Sequence, residues 1–405
     1  MSGKVGDLSA LQATALQTFK ENVKDLLKPS HDDYYLLRWL RARNFDLKKS
    51  EEMLRNHASW RKKTGADTVL ESFVIPEVVS KYLTGGHCGY DKQGNPIWID
   101  PFGRIDIKGI LRSVKKSDVI KTQVHRLERL QVEQIQQTEN FGHKVEEVIV
   151  IYDLEYLGMK HLWKPGVDMF CEIIDMFEWH YPETLKLVFV INAPRFFPIA
   201  YNIVKPFLSE ATANKVRIYG TSNFSSALLQ YIDADQLPKA YGGTRTDPPG
   251  DPRCSALVCQ GGDVPKDFYS KVSINSLDMD KYTAVTIGRG SSLQVDLIVT
   301  EPDSAIRWQF ITEGYDLGFG VYKRTKDSRQ KAHAMEEVIP SQRVNSHIFP
   351  EDGSVIIQDP GTYVVRFDNT YSWTRSKKIY YIIEMLEPDT EDEFELANES
   401  PTKDC

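Results

Sequence analysis

Apolar residues recur at spacings of three and four from the start of the chain. Leu11, Ala15, Leu16, Phe19, Val23, Leu26 and Leu27 predict an amphipathic helix over residues 9 to 27. Pro29 stops it, and SHDDYYLLRWLRARNFDL begins the next helix with Ser and Asp at capping positions. A third helix is expected from about Lys48 to Lys63, so residues 1–65 form a small all-helical unit. It carries a basic run of Arg38, Arg41, Arg43, Lys48, Lys49, Arg61, Lys62 and Lys63. That run reads first as a solvated helix face.

The period then shifts. DKQGNP is a turn between two short strands, and PIWID alternates into a strand. DVIKTQVHRLERLQVEQIQQTEN is one long amphipathic helix. KVEEVIVIYDLEYLG and LKLVFVINAP each supply a strand of the kind buried on both faces, with the helix VDMFCEIIDMFEWHYPE between them. ANKVRIYG adds a strand and SSALLQYIDADQLP a closing helix. The alternation predicts a sheet covered by helices. YGGTRTDPPGDP ends the unit, and residues 250–274 read as a linker. From residue 275 to 383 short alternating segments between turns predict an all-β sandwich. Residues 387–405 are acidic and polar, the composition of a disordered tail. The fold class is therefore multidomain: a helical unit, an α/β unit with a mostly parallel sheet, and a β-sandwich.

One segment stands apart. In LVFVINAPRFFPIAYNIVKPFL, residues 187–208, the strand ends at a proline and a helix begins at Pro198, a favoured first-turn residue. Ile199, Ile203 and Phe207 fall on one face, and Ala200, Val204 and Leu208 widen it. Pro206 removes an amide from the ladder and loosens the last turn. A helix this apolar is either fully buried or a lid over something apolar.

Composition narrows the function. The chain has 405 residues, 41% hydrophobic and 26% charged, with a net charge of -7. That charge is the wrong sign for a general nucleic-acid binder. Five scattered cysteines read as free thiols of a reducing compartment. The first residues lack the apolar run of a signal peptide, and no apolar run is long enough to span a bilayer. The expectation is a soluble cytoplasmic protein with peripheral membrane association; secretion without a signal peptide stays open. No phosphate-binding glycine loop, zinc spacing or nucleophile elbow occurs. Asp153 and Glu155 follow a strand, and His180 lies near Glu178, but such pairs arise by chance in a chain this long. Neither catalysis, nor a metal, nor a cofactor is expected.

LLRWLRARNFDLKKSEEML, YPETLKLVFVINAP and KPFLSEATANKV together resemble the CRAL-TRIO lipid-binding family. The order of segments is similar to the animal branch that ends in a GOLD domain, with the lipid-binding domain at 76–249 and the GOLD sandwich at 275–383. The resemblance implies a deep apolar cavity closed by a mobile helix, here Ile199, Ile203, Val204, Phe207 and Leu208. By the motifs of phosphatidylinositol-binding members it implies a headgroup site of Arg43, Glu183, Thr212 and Lys215. Other members carry phosphatidylcholine, retinoids, tocopherol or squalene. Each polar residue also has a plain reading: a helix-end Arg, a surface acid, and an i,i+3 pair. The function implied is carriage of hydrophobic ligands with transient membrane contact; the alternative is a lipid-responsive regulator that binds a protein partner through the GOLD domain. Arg375, Lys377 and Lys378 beside Trp373 form either a lipid-touching patch or a solvated strand edge.

Overall fold

The computed structural model describes residues 1–269, 281–326, 330–347 and 350–388. The tail expected over 387–405 lies, from residue 389, outside the described residues, as do 270–274 of the expected linker. In the helical unit every start carries a side-chain cap. Helix α1 (Ala10–Asn22) opens on a reciprocal pair between Ser9 and Gln12, a capping box that the apolar pattern did not flag. Helix α2 (Asp33–Arg41) is capped by Asp32, and α3 (Leu47–Thr64) by Asp46. The last ends at Gly65, whose φ of 69° suits a glycine C-cap. The short helices α4 (Val69–Ser72) and α5 (Glu77–Tyr82) lead into the sheet.

The α/β unit runs β1 (Gly86–Tyr90), β2 (Pro96–Asp100), α6 (Ile107–Ser113), α7 (Lys116–Phe141), β3 (Val148–Asp153) and α8 (Lys164–His180). It continues with β4 (Leu185–Ile191), α9 (Phe197–Val204), α10 (Glu210–Ala213), β5 (Val216–Ile218) and α11 (Phe224–Tyr231). The strands lie side by side in chain order; β1 and β2 pair antiparallel and the rest parallel. Alternation divides them cleanly. Ile97, Ile99, Ile149, Ile151, Phe189 and Ile191 pack into a solid core with Leu228, Ile232, Tyr241, Cys254 and Val258. Trp98, Asp100, Val148, Val150, Tyr152, Val188 and Val190 turn to the other face.

The stretch expected as a linker is, over its described part 250–269, packed on this sheet. Gly85 and Cys259 exchange backbone hydrogen bonds, and Cys254 and Val258 are fully buried. At Gly86 a Cβ would stand 2.0 Å from the Leu257 carbonyl oxygen, so only glycine admits this approach. The four described cysteines are free thiols.

The C-terminal unit comprises β6 (Thr283–Ile287), β7 (Ser292–Val299), β8 (Ser304–Thr312), β9 (Leu317–Lys323), β10 (Glu336–Val344), β11 (Glu351–Ile357), β12 (Gly361–Asp368) and β13 (Lys377–Leu386). Two antiparallel sheets, ordered β10-β9-β12-β7 and β11-β8-β13-β6, enclose an aromatic core of Trp308, Phe310, Phe319 and Phe367. Lys377, read as an exposed base, is instead 3% exposed and held by Asp316 and Tyr371. Trp373 is 88% exposed.

The basic run is not simply solvated. Arg38 pairs with Glu146 at 3.2 Å, Arg41 with Glu183 at 3.2 Å, and Arg61 forks onto Glu128 at 2.8 and 3.0 Å. These bonds dock the helical unit onto the α/β unit, while Lys48, Lys49, Lys62 and Lys63 stay exposed. Arginine's planar fork suits the docking role and lysine does not. An aromatic stack completes the seam. Trp60 lies on His180 with ring centroids 4.1 Å apart, and His57 sits between Trp39 and His180 at 4.7 and 5.7 Å.

Burial, with Arg61 and His180 nearby, pushes His57 down to about 2, and burial pushes His180 down to about 4. Both rings are neutral in the fold, whereas the unfolded chain takes up their protons below about pH 6.5. Stability therefore falls as pH drops from 6.5 towards 4, by up to about 1.4 kcal/mol per pH unit for each ring. The melting temperature of the wild type should drop more between pH 6.5 and 4.5 than that of a His57→Phe, His180→Phe variant. Equal drops would remove these histidines from the acid response.

Candidate lipid cavity

The second face of the sheet is not filled by side chains. It floors a cavity of about 700 Å³, within the roughly 300–1,000 Å³ range of small-molecule sites. Val148, Val150, Tyr152, Val188 and Val190 form the floor, and Val167, Phe170, Ile174 and Phe177 of α8 form a wall. Their spacing of three, four and three along α8 puts them on one stripe. Leu127 and Leu130 of α7 contribute a second wall.

The helix expected as the lid, α9, covers one side of the cavity. The α-helix stops at Val204 and continues as a 3-10 turn over Lys205–Phe207, where Pro206 withholds an amide. The five residues expected on its cavity face divide. Ile203, Val204 and Leu208 line the cavity, joined by Phe197, Ala200 and Tyr201. Ile199 is fully buried elsewhere, against Leu162 and Ala305 of β8, and Phe207 is 41% exposed. Helical wheels place apolar stripes but cannot say which neighbour covers each, and α9 has two.

The four expected headgroup residues all border this same cavity. Arg43 lies over the Trp179 ring at 4.9 Å and donates to the Ala42 carbonyl at 2.8 Å. Lys215 donates to the Leu185 carbonyl at 2.6 Å. Among the described residues neither cation has a carboxylate partner. Ser209 caps α10: its Oγ accepts from the Thr212 amide at 3.2 Å and donates to Thr212 Oγ1 at 3.0 Å. Glu183 accepts from Arg41, which the sequence placed only in the basic run although it lies two positions from Arg43. Glu183 is held in the left-handed region, φ 59°, where the chain turns from α8 into β4. The rim thus presents two uncompensated cations beside a hydroxyl, a set suited to a phosphate.

The acids considered for catalysis are committed to structure. Asp153 accepts from Asn192 at 2.8 Å, the Glu155 amide at 2.9 Å and the Tyr241 hydroxyl at 3.1 Å. Glu155 holds Arg104 and Arg253, which keep its carboxyl below the usual range despite burial. Among the described residues no cluster of His, Cys, Asp and Glu is placed to hold a metal, and no helix is long and apolar enough to cross a membrane.

The lid's outer side meets the sandwich. Ile199 and Ile203 pack with Ala305, Ile356 and Leu386, and Asn202 Nδ2 donates to the Glu387 carbonyl at 2.9 Å. Beside them Arg307 donates to the Leu162 carbonyl at 3.0 Å and to Glu384 at 2.7 Å, and Lys164 donates to Glu384 at 2.9 Å. Burial works against the Glu384 carboxylate, yet Lys164 and Arg307 hold its titration below the usual range. Nothing in the local sequence marked Arg307 or Glu384 for this role, because the contact is between strands of one unit and a helix of another.

Comparison with known proteins agrees with this arrangement. The CRAL/TRIO domain model matches residues 80–243, and the model of the CRAL/TRIO N-terminal domain matches residues 8–56. Protein ctg-1 of Caenorhabditis elegans is 30% identical over 380 residues, which cover 92% of this chain and 98% of that protein. Protein real-time of Aedes aegypti is 31% identical over 342 residues, 80% of this chain. The matched region spans about half of the mosquito protein, 51%. Among solved structures, that of Sfh5 has a TM-score of 0.48 at 16% identity, covering 58% of this chain and 88% of that one. With both family models matched in order and a relative aligned almost end to end, the chain is a member of the CRAL/TRIO family of lipid-binding, non-catalytic proteins.

Proposed function

We propose that this chain carries single lipid molecules between membranes, with phosphatidylinositol as one cargo. The observation that supports this most is the largely apolar cavity, bordered by Arg43, Thr212 and Lys215. Leaving a CH₂ group in water costs roughly 0.8 kcal/mol, so an acyl chain of about 16 carbons costs on the order of 12 kcal/mol. Only near-complete enclosure offsets that, and a surface patch does not. The headgroup phosphate would sit on Arg43 and Lys215, with Thr212 donating. Glu183, oriented by Arg41, would accept from an inositol hydroxyl. Phosphatidylcholine, tocopherol and squalene are the other cargoes that the family resemblance suggests. Phe207 and Trp179, 41% and 43% exposed beside the rim, would meet the bilayer when the lid opens. In this reading residues 1–65 brace the lipid-binding domain at 76–249, and 275–383 form a GOLD-type sandwich after the 250–274 connection.

A second reading has its own support. The sandwich covers the outer side of the lid, so the same contacts could make cavity opening and sandwich surface interdependent. The chain would then be a lipid-responsive regulator of membrane traffic or lipid metabolism, with a protein partner reading the sandwich.

Three outcomes follow. Native mass spectrometry of protein loaded from mixed vesicles should show phosphatidylinositol lost by about tenfold in Lys215→Ala, the size expected for one charged hydrogen bond, with other lipids retained. Equal retention by wild type and variant would count against the headgroup site. Phe207→Asp should slow vesicle-to-vesicle transfer several-fold without changing the melting temperature; unchanged transfer would sink the membrane-facing role of that turn. Arg307→Ala leaves Glu384 half-paired in a buried seam, which is costly, and should raise the transfer rate several-fold by loosening the lid. A slower or unchanged rate would discard the interdependence of lid and sandwich.

A further inference from the structure

The cavity has a second polar place, remote from the rim. Asp100 and Trp98 share the inner face of β2, and Asp100 stands in register with Tyr152 on β3. Counting strand rise and strand spacing from Lys215, at the start of β5, puts Asp100 on the order of 15 Å away, at the opposite corner of the floor. Thr84 and Arg126 border the cavity at the same corner.

The Thr84 and Trp98 side chains lie close to the Asp100 carboxyl, yet polar atoms are left unpaired. Asp100 Oδ1 and Thr84 Oγ1 are both buried without a hydrogen-bond partner among the described residues. The one cation at hand is already engaged. Arg126 gives its Nη atoms to the carbonyls of Thr84 and Leu83, both at 2.9 Å, and rests on the Trp98 ring at 5.1 Å. No ion pair joins it to Asp100 among the described residues. The Tyr152 ring is held edge-on by Phe102 and Phe170, and its hydroxyl makes no hydrogen bond among the described residues. Burial pushes the Asp100 carboxyl up, against smaller opposing effects of Thr84, Arg126 and Trp98, and pushes the Tyr152 phenol up too. A neutral acid both donates and accepts, as do the two hydroxyls. Leaving such atoms unpaired costs roughly 1–3 kcal/mol each, so a partner is strongly favoured.

We infer that Asp100, Tyr152 and Thr84 form an inner subsite for the hydroxyl group of a neutral lipid alcohol, whose apolar body then fills the cavity towards the lid. A hydroxyl matches the mixed donor and acceptor character of the site. A carboxylate would set a second acid beside Asp100, and a phosphate would need cationic donors that Arg126 has already spent on backbone carbonyls. A plain alkane leaves every polar atom unpaired. The inference rests on the carrier reading and extends it: the rim suits a charged headgroup, and the inner corner suits an uncharged one.

Hexadecanol, hexadecane and palmitate, offered in equal amounts to the full chain and quantified by mass spectrometry after extraction, test it. The bound ratio of hexadecanol to hexadecane should fall about tenfold in Asp100→Leu and several-fold in Tyr152→Phe, with phosphatidylinositol content unchanged. An unchanged ratio in both variants, or preferential retention of palmitate by the wild type, overturns the inference while leaving the carrier reading intact. If Asp100→Leu does not fold, the Tyr152→Phe and Thr84→Val ratios decide in its place. Failure of the wild type to retain any of the three chains or phosphatidylinositol overturns the carrier reading and the inference with it.

Discussion

A sheet that is apolar on both faces but packed on only one must keep the other face from collapsing. An unfilled apolar hollow costs roughly 24 cal/mol per Å³. At about 700 Å³ this hollow far exceeds the single-side-chain cavities behind that figure, so leaving it dry and empty would cost a large part of the roughly 5–15 kcal/mol net stability of an ordinary domain. The architecture answers this cost in two ways. One is to make the floor rigid, with β2 to β4 anchored from behind by the solid core around Ile149, Ile151 and Phe189. The other is to fill the hollow with cargo, so that the free energy of binding becomes part of the stability of the protein.

The remaining parts of the molecule act as braces on that hollow. The helical unit is pinned by three arginines to carboxylates of the α/β unit, and by the stack of Trp39, His57, Trp60 and His180. Residues 250–269 seal the edge strand β1 by pairing at Gly85 and Cys259. The sandwich bears on the lid through Ile199 and the Arg307–Glu384–Lys164 group. Against these braced walls stands α9, a two-turn helix that passes into a 3-10 turn where Pro206 withholds an amide.

Polarity inside the hollow is concentrated at two corners, and they differ in kind. The rim holds the cations Arg43 and Lys215. At the inner corner Arg126 is spent on backbone carbonyls, and burial disfavours charge on Asp100. Between them lie valines, phenylalanines and leucines that discriminate by shape alone.

Much of this was legible in the chain. Capping residues, apolar spacing and turn chemistry are local, and they marked α3 and α7 to within about two residues and located α2, α8, β3 and β4 with ends several residues off. Arg43, Glu183, Thr212 and Lys215 could be named from their motifs, and tertiary structure sets all four on the border of one cavity. Other features stayed out of reach for a physical reason: sequence period states which residues avoid water, not what they meet instead. Val150 and Ile151 look alike in the chain, yet one faces a hollow and the other a packed core. Ile199 and Ile203 share a helical face and both meet the sandwich, yet only the second also borders the cavity. Glu183, read as a surface acid, finds Arg41, and the basic run becomes a docking surface, because partners 142 and 108 residues away are brought in by the fold. The sequence alone determined where the chain is helix, where it is strand and which stripes are apolar, since those follow from interactions within a few residues. Whether an apolar stripe is core, lid or interface was decided only by long-range packing.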